Sequence, residues 1–548
     1  MSAFDRNVAL SQLTDAPFDV LVIGGGITGA GVALDAAARG LRTAIVERDD
    51  WASGTSSKSS KLVHGGLRYL QQKEYRLVYE NLAERQRLLG NAPHLVRELP
   101  FLIPLFGKDG VVNATVAKAY STALWLYDLT GGLRIGKRHK RVTREQALQH
   151  FPTLRADRLV AAFLYYDART DDARLTLALV RTAVIEHGAV AVNHLAVTGL
   201  VKESGRVVGA SLADGRIVRA AVVVNAAGVW ADDVRALDEA VHPDSIRPAK
   251  GIHVTVPASR LPCDIAAVIP VPSDRRSIFV VPWGELTYVG TTDTDYDGPI
   301  DDPTCTPDDI AYLLNAINLA TSSALTTADI TGTWAGLRPL IKQAKSERTA
   351  DLSRRHVVST SASGVISVTG GKLTTYRKMA ADTVDVAVRQ LGRGRRHSPT
   401  ARLAIHGAGG LGAVTAPGAA ARLGVDDATL THLVQRHGGE AARLAALAGS
   451  DPLLATPLVA GLPYLGAEAV WAVREEMATS LADVLARRTR AQLLARDATA
   501  AAAASVAELI GPLLGWSPAE TQRHTADYRL AVAHERESAE LPITGALL

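Results

Sequence analysis

The chain has 548 residues, of which 47% are hydrophobic and 21% charged, and its formal net charge is +4 at pH 7. This length and balance predict a globular protein of two or three domains and exclude a disordered chain. The basic residues are not interleaved with aromatic ones, so we expect no nucleic-acid partner. The two cysteines, Cys263 and Cys305, have no metal-ligand spacing, so we expect neither a disulfide nor a metal site.

The N-terminal residues Met1–Arg6 lack the apolar stretch of a signal peptide. No window reaches about 18 uncharged apolar residues, the length that a membrane-spanning helix needs. We therefore expect a protein of the reducing cytoplasmic compartment, either soluble or bound to a membrane surface.

The stretch Asp19–Gly29 contains the most informative motif of the chain. An apolar run ends in G-x-G-x-x-G and leads directly into a helical pattern. In such a motif Gly24 allows the sharp turn, Gly26 lets the backbone approach a pyrophosphate, and Gly29 lets the helix pack closely on the strand. The free N–H groups at the helix N-terminus then face the diphosphate.

A second apolar run, Thr43–Val46, ends at Glu47. An acidic residue at the tip of the second strand accepts hydrogen bonds from the ribose hydroxyls of an adenine dinucleotide. The pattern therefore predicts dinucleotide binding; the alternative is an ordinary βαβ unit without a ligand.

The helix expected at Ala114–Leu129 carries an apolar stripe and is followed by a basic cluster at 134–144. It is too short to cross a bilayer. Two interpretations stay open: contact with an anionic membrane surface, or a helix packed on the core beside a solvated loop.

Several later segments complete the expected organisation. Strands are expected at Val192–Leu200, Val207–Leu212, Arg216–Val218 and Ala221–Val224, and again between His253 and Thr292. A second strand–glycine–helix turn, Gly364–Lys372, predicts a dinucleotide domain assembled from discontinuous segments. The glycine-rich stretch Gly407–Gly418 is typical of a linker. Beyond it, helices are expected at Asp426–His437, Ala467–Ala478, Leu481–Ala495 and Ala498–Leu514.

Taken together, these segments closely resemble the FAD-dependent sn-glycerol-3-phosphate dehydrogenases. The resemblance depends on V-I-G-G-G-I-T-G-A-G with S-G-T-S-S-K-S-S-K-L-V-H-G-G-L-R-Y-L at 53–70, on G-L-R-P-L at Gly336–Leu340, and on G-G-K-L-T-T-Y-R-K at Gly370–Lys378. It runs nearly from end to end and includes the helical tail.

The resemblance implies an α/β protein with a discontinuous Rossmann-like FAD-binding domain of the D-amino-acid-oxidase and glutathione-reductase type. An α+β substrate cap and an all-α C-terminal domain complete it. We expect the FAD-binding domain at 16–95, 155–250 and 350–395, the cap at 96–154 and 251–349, a linker at 396–420 and the helical domain at 421–548.

The cofactor implied is FAD, held without a covalent bond because no His or Cys stands out as a linkage site. The residues expected to bind it are Gly24, Gly25, Gly26, Thr28, Gly29, Glu47, Thr55, Ser56, Ser60, Lys61, Leu62, Gly65, Gly66, Ala227, Gly228, Gly370, Gly371, Lys372, Leu373 and Thr374.

The reaction implied is oxidation of glycerol 3-phosphate at C2 to dihydroxyacetone phosphate, with hydride transfer to the flavin. The expected substrate-binding residues are Arg68, Tyr69, Arg338, Arg354 and Lys372, because a phosphate dianion needs clustered cations. Arg355 is an alternative to its neighbour Arg354.

The expected catalytic residues are His64, His253, Arg338 and Lys372. Either histidine is a candidate for the base, since histidine titrates in the working range. Lys372 or an arginine would stabilise a developing alkoxide instead. Which group takes the proton stays open at this point.

In these dehydrogenases the electrons pass to membrane quinone, which implies peripheral attachment to the inner face of the cytoplasmic membrane. The helix at Ala114–Leu129 and its basic cluster would contact anionic lipid there. A homodimer stays open.

Four alternatives remain. A related branch consists of glycerol-3-phosphate oxidases, which use oxygen. An FAD-dependent amine or amino-acid oxidase could have the same fold, although several arginines suit phosphate better. The glycine motif alone does not separate FAD from a pyridine nucleotide. A non-enzymatic scaffold is disfavoured because all the expected site residues are present.

Overall fold

The computed structural model describes residues 4–67, 69, 74–107, 114–131, 135–271, 276–342, 356–394 and 396–544. The side chains of 114–117 and 119 also fall outside this description. Two predicted substrate residues, Arg68 and Arg354, lie outside the described residues, as does Arg355.

The described chain contains both strands and helices up to residue 390 and is helical beyond it. The strands are β1 (Phe18–Ile23), β2 (Thr43–Val46), β3 (Leu62–Val63), β4 (Val96–Phe106), β5 (Lys140–Thr143), β6 (Leu159–Thr170), β7 (Val190–Val192), β8 (Val197–Glu203), β9 (Arg206–Leu212), β10 (Ile217–Asn225), β11 (Ile246–Pro257), β12 (Ala266–Val271), β13 (Arg276–Trp283), β14 (Leu286–Gly290), β15 (Thr294–Asp295), β16 (Gly332–Ile341), β17 (Val357–Thr360) and β18 (Ile366–Thr369). The α-helices are α1 (Arg6–Gln12), α2 (Ile27–Ala38), α3 (Tyr75–Asn91), α4 (Ala114–Leu129), α5 (Arg144–His150), α6 (Asp172–Ile185), α7 (Ala231–Glu239), α8 (Pro307–Ala320), α9 (Tyr376–Gln390), α10 (Leu411–Val414), α11 (Ala419–Leu423), α12 (Asp427–His437), α13 (Ala441–Ala448), α14 (Gly466–Glu476), α15 (Ala491–Leu494), α16 (Arg496–Leu514) and α17 (Pro518–Ser538).

The first sheet has the order β17-β18-β10-β1-β2-β7, with β9 paired to β10 and β8 to β9. The pairings from β18 to β7 are parallel, whereas β17–β18, β9–β10 and β8–β9 are antiparallel. Its central strands are apolar and buried, as expected where helices cover both faces of a parallel sheet. α2 connects β1 to β2 and packs against α6 and α9. Since β1, β10 and β18 come from distant parts of the chain, the expected discontinuous dinucleotide domain is confirmed.

Two strand boundaries differ from the sequence-based prediction. The expected strand Val192–Leu200 is divided into β7 and β8 around His194, which has a left-handed φ of 51°. The expected strands Arg216–Val218 and Ala221–Val224 are one continuous strand, β10, because its N-terminal half pairs with β9 and its C-terminal half with β1.

The second sheet forms the cap and has the order β15-β11-β14-β13-β12-β4-β6-β3, with β16 paired to β11 and β5 to β6. Alternation along β11 separates its two faces. Ile252, Val254 and Val256 are buried in a core shared with α8, whereas His253 lies on the face directed at the loop that follows β2. This second face carries the candidate site.

The C-terminal part is a helical domain, as expected. α17 extends beyond the last predicted helix; its buried side chains are only Thr525, Tyr528 and Val532, which explains the weak sequence signal. The segment 396–420, for which we expected a linker, contains α10 and the start of α11, and Ile405 and Val414 in it are buried.

By length and composition alone, α16 is the one described helix that could cross a membrane, with a mean hydropathy of 1.2. It packs against α17, and Val506, Ala507 and Ile510 belong to the core of the helical domain. One face of α16 therefore packs in the helical domain, and 33% of its apolar window is buried.

Buried ion pairs join the helical domain to the dinucleotide domain. Arg174 of α6 pairs with Glu476 of α14 at 2.7 Å. Arg490 donates to Asp172 at 2.7 Å and to the carbonyl of Ser57 at 2.6 Å. These contacts hold the loop after β2 in place from the side of the C-terminal domain.

Candidate active site

The predicted turn after β1 has the geometry that its glycines require. Gly24 adopts a φ of 109°, which favours glycine. A Cβ at Gly29 would collide with the carbonyl oxygen of Gly24, so only glycine lets α2 pack this closely. A Cβ at Gly26 would lie 3.1 Å from Ser56 Oγ, and Ser56 in turn accepts the N–H of Ile27.

Glu47 lies at the end of β2, beside this turn. Its carboxylate accepts the N–H of Gly25 at 2.5 Å and that of Asp49 at 2.9 Å. Burial raises the pKa of Glu47, and these two N–H donors oppose the rise. The side chain is therefore held where a ribose hydroxyl would meet it.

A cavity of about 360 Å³ opens at this edge of the parallel sheet. Of the expected cofactor residues, those lining it are Gly24, Gly26, Thr28, Glu47, Thr55, Ser56, Ala227, Gly228, Gly370, Gly371, Lys372 and Leu373. The two strand–glycine–helix turns thus meet at one cavity. Sequence reasoning missed Trp230, Val197 and Leu237, which also line it and follow no recognisable motif.

The other expected cofactor residues lie around the cavity rather than in its wall. Gly25 packs against Trp51, and Gly29 against the turn itself. Lys61 is 2% exposed and pairs with Asp172 at 3.1 Å. Burial and the nearby Arg490 lower the pKa of Lys61 to about 8.

The string at 60–66 passes between the dinucleotide domain and the cap. Leu62 is in β3 and buried in the cap. The N–H of Gly65 donates to Asp167 at 3.1 Å, and Gly66 lies under the ring of Tyr69. Thr374 accepts the N–H of His64 at 3.2 Å. The last contact joins the two strings that carry the family resemblance.

The same two strings meet again at Lys372, whose Nζ lies 3.7 Å from the centre of the Tyr69 ring. A cation over an aromatic face is attracted by the ring quadrupole. The ring of His64 contacts Phe279 edge-on at 6.2 Å. The structure therefore brings three predicted residues, His64, Tyr69 and Lys372, to the junction of the cofactor cavity and the cap.

His253 is 2% exposed and stacks on Trp334 with ring centroids 4.6 Å apart. Its Nε2 lies 2.8 Å from Ser60 Oγ, and its Nδ1 has no hydrogen-bond partner among the described residues. Burial, with Lys61 and Arg338 nearby, lowers the pKa of His253 well below its usual value. The ring is therefore neutral at physiological pH.

Strand register places Arg338 on the same face of the cap as His253. His253 is opposite Trp334, and Ala249 is opposite Arg338, four residues along each strand. A side chain at 290 would collide with the His253 ring, and one at 251 with the Arg338 guanidinium, so two glycines leave room for the two predicted residues.

Arg338 is held from the cap side. Its Nη1 pairs with Asp293 at 3.1 Å, and its Nη2 donates to Thr291 Oγ1 at 3.2 Å and to the carbonyl of Thr292 at 3.1 Å. Asp293, which lies in the string G-T-T-D-T at Gly290–Thr294, was missed as a site residue. Trp334 and Phe279 were missed as well, because only the folded sheet brings them beside the histidines.

Three described side chains are close enough together to be considered as a metal site, although we expected none. Asp50, His194 and Asp483 bring one ligand atom each within 4.8 Å of one another. Asp50 accepts from Arg488 at 2.6 Å, and Arg487 contacts both aspartates. The arginines compensate these carboxylates, so the cluster is an ion-pair network.

The fold and the cavity together define an FAD-dependent oxidoreductase built from a dinucleotide domain and a substrate cap. The family model described as FAD dependent oxidoreductase matches residues 19–377. The model described as C-terminal domain of alpha-glycerophosphate oxidase matches residues 398–521.

Comparison with individual relatives identifies the family within this class of oxidoreductases. The chain is 41% identical to Glycerol-3-phosphate dehydrogenase 2 of Mycobacterium bovis, over 98% of this chain and 92% of that protein. It is 38% identical to the mitochondrial glycerol-3-phosphate dehydrogenase of Mus musculus, over 94% and 73% respectively. The solved glycerol-3-phosphate dehydrogenase from Bacillus halodurans, complexed with FAD, aligns with a TM-score of 0.79 and 31% identity over 100% of this chain and 99% of that one. The chain belongs to the family of FAD-dependent glycerol-3-phosphate dehydrogenases.

The residues present fit FAD. Bare glycine backbone at Gly24 and Gly26 leads into the N-terminus of α2, where a diphosphate is stabilised. The second turn, Gly370–Lys372, adds a positive charge at the far side of the cavity.

Proposed function

We propose that the protein oxidises sn-glycerol 3-phosphate at C2 to dihydroxyacetone phosphate and passes the electrons on to a membrane quinone. The observation that carries the proposal is the placement of Arg338 and the neutral, buried His253 on one face of the cap, directed at the loop beside the cofactor cavity. FAD, when bound, supplies the acceptor for the hydride that leaves C2.

The substrate phosphate needs cations that are already oriented. Arg338 offers a positive charge, and the contacts of its Nη atoms with Asp293 and Thr291 fix the orientation of the guanidinium before substrate arrives. Lys372, held over Tyr69, contributes a second charge beside the cofactor turn. Arg68 and Arg354 remain predicted contributors.

We assign the base to His253. In the tautomer whose Nε2–H donates to Ser60 Oγ, its Nδ1 keeps a lone pair without a described partner, and this lone pair is the acceptor for the C2 hydroxyl proton. Lys61 and Arg338 help to lower the pKa of the empty site, and a bound phosphate dianion would oppose their effect and strengthen the base. His64 is the second candidate. The ring of His64 lies against Phe279. Phe279 and His253 are both in register with Gly290, on the strands at either side of β14, so Phe279 is about 10 Å from His253.

We place the membrane contact at α4 and the residues that follow it. Trp125, Leu126 and Leu129 are exposed, the last by 71%. Arg138, Lys140 and Arg141 are exposed close by. Apolar side chains flanked by cations favour the surface of an anionic bilayer. This supports peripheral attachment at the inner face of the cytoplasmic membrane. A homodimer stays a prediction.

A second candidate function is oxidation of the same substrate with oxygen as the acceptor. It is favoured by the C-terminal family model, whose description names alpha-glycerophosphate oxidase. An amine or amino-acid oxidase fits less well a site that offers the two cations Arg338 and Lys372.

An anaerobic absorbance titration of the FAD-loaded protein tests the proposal. We expect sn-glycerol 3-phosphate to bleach the flavin band, and the enantiomeric sn-glycerol 1-phosphate to act as the matched control that does not. Reoxidation should be faster with a soluble quinone analogue than with air. If an amine bleaches the flavin band and glycerol 3-phosphate does not, the proposed substrate is wrong. Faster reoxidation by oxygen than by the quinone analogue would favour the second candidate function.

A further inference from the structure

A second cavity, of about 1070 Å³, lies between the cap sheet and the C-terminal helices. Pro257, at the C-terminal end of β11, is in its wall, whereas Arg338 is opposite Ala249. Eight residues of strand separate the two positions, a distance of about 26 Å. The cavity shares no lining residue with the cofactor cavity. Its near end is closed by Tyr288, whose ring lies 6.1 Å from the ring of His253.

Two arginines face each other in this cavity. Arg97 of β4 and Arg169 of β6 are direct partners in the antiparallel register. Arg97 Nη2 donates weakly to the carbonyl of Gln435 at 3.5 Å, and Arg169 Nη1 donates to the carbonyl of Pro282 at 2.8 Å. In the described part of the chain, neither guanidinium forms a salt bridge with a carboxylate.

This arrangement is electrostatically unfavourable when the cavity holds only water. Burial, followed by repulsion from Arg169 and Arg436, lowers the pKa of Arg97 to about 10. Burial also lowers the pKa of Arg169. An anion between the two guanidinium groups would remove the repulsion.

The carboxylates of the cavity wall are engaged or distant from the pair. Asp171 pairs with Arg436 at 3.1 Å. Glu285 and Asp427 are exposed at the rim. The inner part of the cavity therefore keeps an uncompensated positive charge.

The remaining wall is apolar and aromatic. Trp283, Leu286, Leu462 and Tyr464 line it. A ligand with a charged head and a planar or apolar body would bury that body against these side chains, as is usual for small-molecule pockets.

We propose that this cavity is a second ligand site, which binds a phosphate monoester with an aromatic or apolar body between Arg97 and Arg169. Residues opposite each other in an antiparallel pair lie about 5 Å apart, so both guanidinium forks can reach one phosphate group. The several oxygens of a phosphate dianion accept from both forks at once.

Calorimetric titration of the full-length, FAD-loaded protein with phenyl phosphate tests this assignment. We expect binding to the wild type and at least a tenfold weaker affinity for Arg97→Gln and for Arg169→Gln. Arg155→Gln is the matched control, because Arg155 is exposed and pairs with Asp157 away from the cavity. Arg338→Gln should also keep the affinity, since it alters only the substrate site.

Binding that is equal in wild type, Arg97→Gln and Arg169→Gln would overturn the proposal, as would no binding to the wild type. Loss of binding in Arg338→Gln alone would place the probe in the substrate site and would overturn it as well. If a glutamine variant does not fold, Arg97→Lys and Arg169→Lys keep the charge but not the fork, and the same tenfold loss is expected. Flavin bleaching by glycerol 3-phosphate is a separate measurement, so failure of the proposed function would not be confused with failure of this site.

Discussion

Replacing Arg338 by alanine tests the substrate site most directly. The guanidinium is 21% exposed and already ordered by Asp293 and Thr291, so little conformational entropy is lost when it meets phosphate. A hydrogen bond to a charged group contributes about 1.5–3 kcal/mol. The four Nη–H groups of Arg338 already donate within the cap, which leaves at most one N–H for the phosphate. At about 1.4 kcal/mol for each factor of ten, Arg338→Ala should lower kcat/KM by about 10 to 10².

Steady-state kinetics with a quinone analogue measures this loss, and the flavin absorbance of each variant measures cofactor content. Arg338→Ala should keep its flavin, because Arg338 is not among the residues lining the cofactor cavity. Arg338→Lys should lie between wild type and alanine, since it keeps the charge and loses the fork. Added guanidinium ion should restore part of the activity of Arg338→Ala and none of that of Arg338→Lys. A flavin-loaded Arg338→Ala enzyme with near-normal kcat/KM would refute the assignment of Arg338 to the phosphate.

Three further predictions follow from buried or exposed charges. His253→Asn should lower kcat at least a hundredfold and leave flavin binding intact. Because the pKa of His253 is far below its usual value, the pH–rate profile of the wild type should show no histidine step between pH 6 and 8. A step in that range that is present in the wild type and absent in His253→Asn would contradict this prediction. Replacing Lys137, Arg138, Lys140 and Arg141 by glutamine should release the protein from anionic vesicles in a sedimentation assay. Unchanged sedimentation would argue against the α4 surface. Burial alone would raise the pKa of Glu476, but Arg174 and His437 bring it down to about 2, so its ionised form contributes about 3 kcal/mol above pH 4.5. Urea unfolding of Glu476→Gln should show that deficit at pH 7, and the difference from wild type should shrink as pH falls from 4.5 towards 2; a difference independent of pH would contradict the ion-pair account.

The cofactor turn could be predicted from sequence because its determinants are local. Gly24, Gly26 and Glu47 lie within 24 residues, and each has a conformational or chemical requirement that the sequence pattern expresses directly. The structure placed all three at one cavity.

The substrate side could be predicted only as a set of residues. His253 stacks on Trp334, which is 81 residues away, and Arg338 is oriented by Asp293, which is 45 residues away. Strand register decides these pairings, and register is not readable when several strands of similar composition compete. The neutral state of His253 depends on burial by those partners.

The pairing of Arg97 with Arg169 in the second cavity is still harder to predict from the sequence. Arg97 and Arg169 are 72 residues apart in unremarkable strand segments, and no motif marks either of them. Among 60 basic residues, only the register of β4 on β6 distinguishes this pair.

The contact of Arg490 with the loop after β2 makes the dinucleotide domain depend on the helical domain. From the C-terminal domain, this arginine reaches the carbonyl of Ser57, one residue from Ser56 of the cofactor turn and three from Ser60, which contacts His253. Asp172 pairs with Lys61 and with Arg490, so deletion of the helical domain would remove one of its two cations. Arg174 would lose its partner Glu476 and remain as an uncompensated charge at the new surface. The helical domain thus helps to position the loop that carries both Ser56 and Ser60, so the cofactor turn and the cap face share a support that lies outside both.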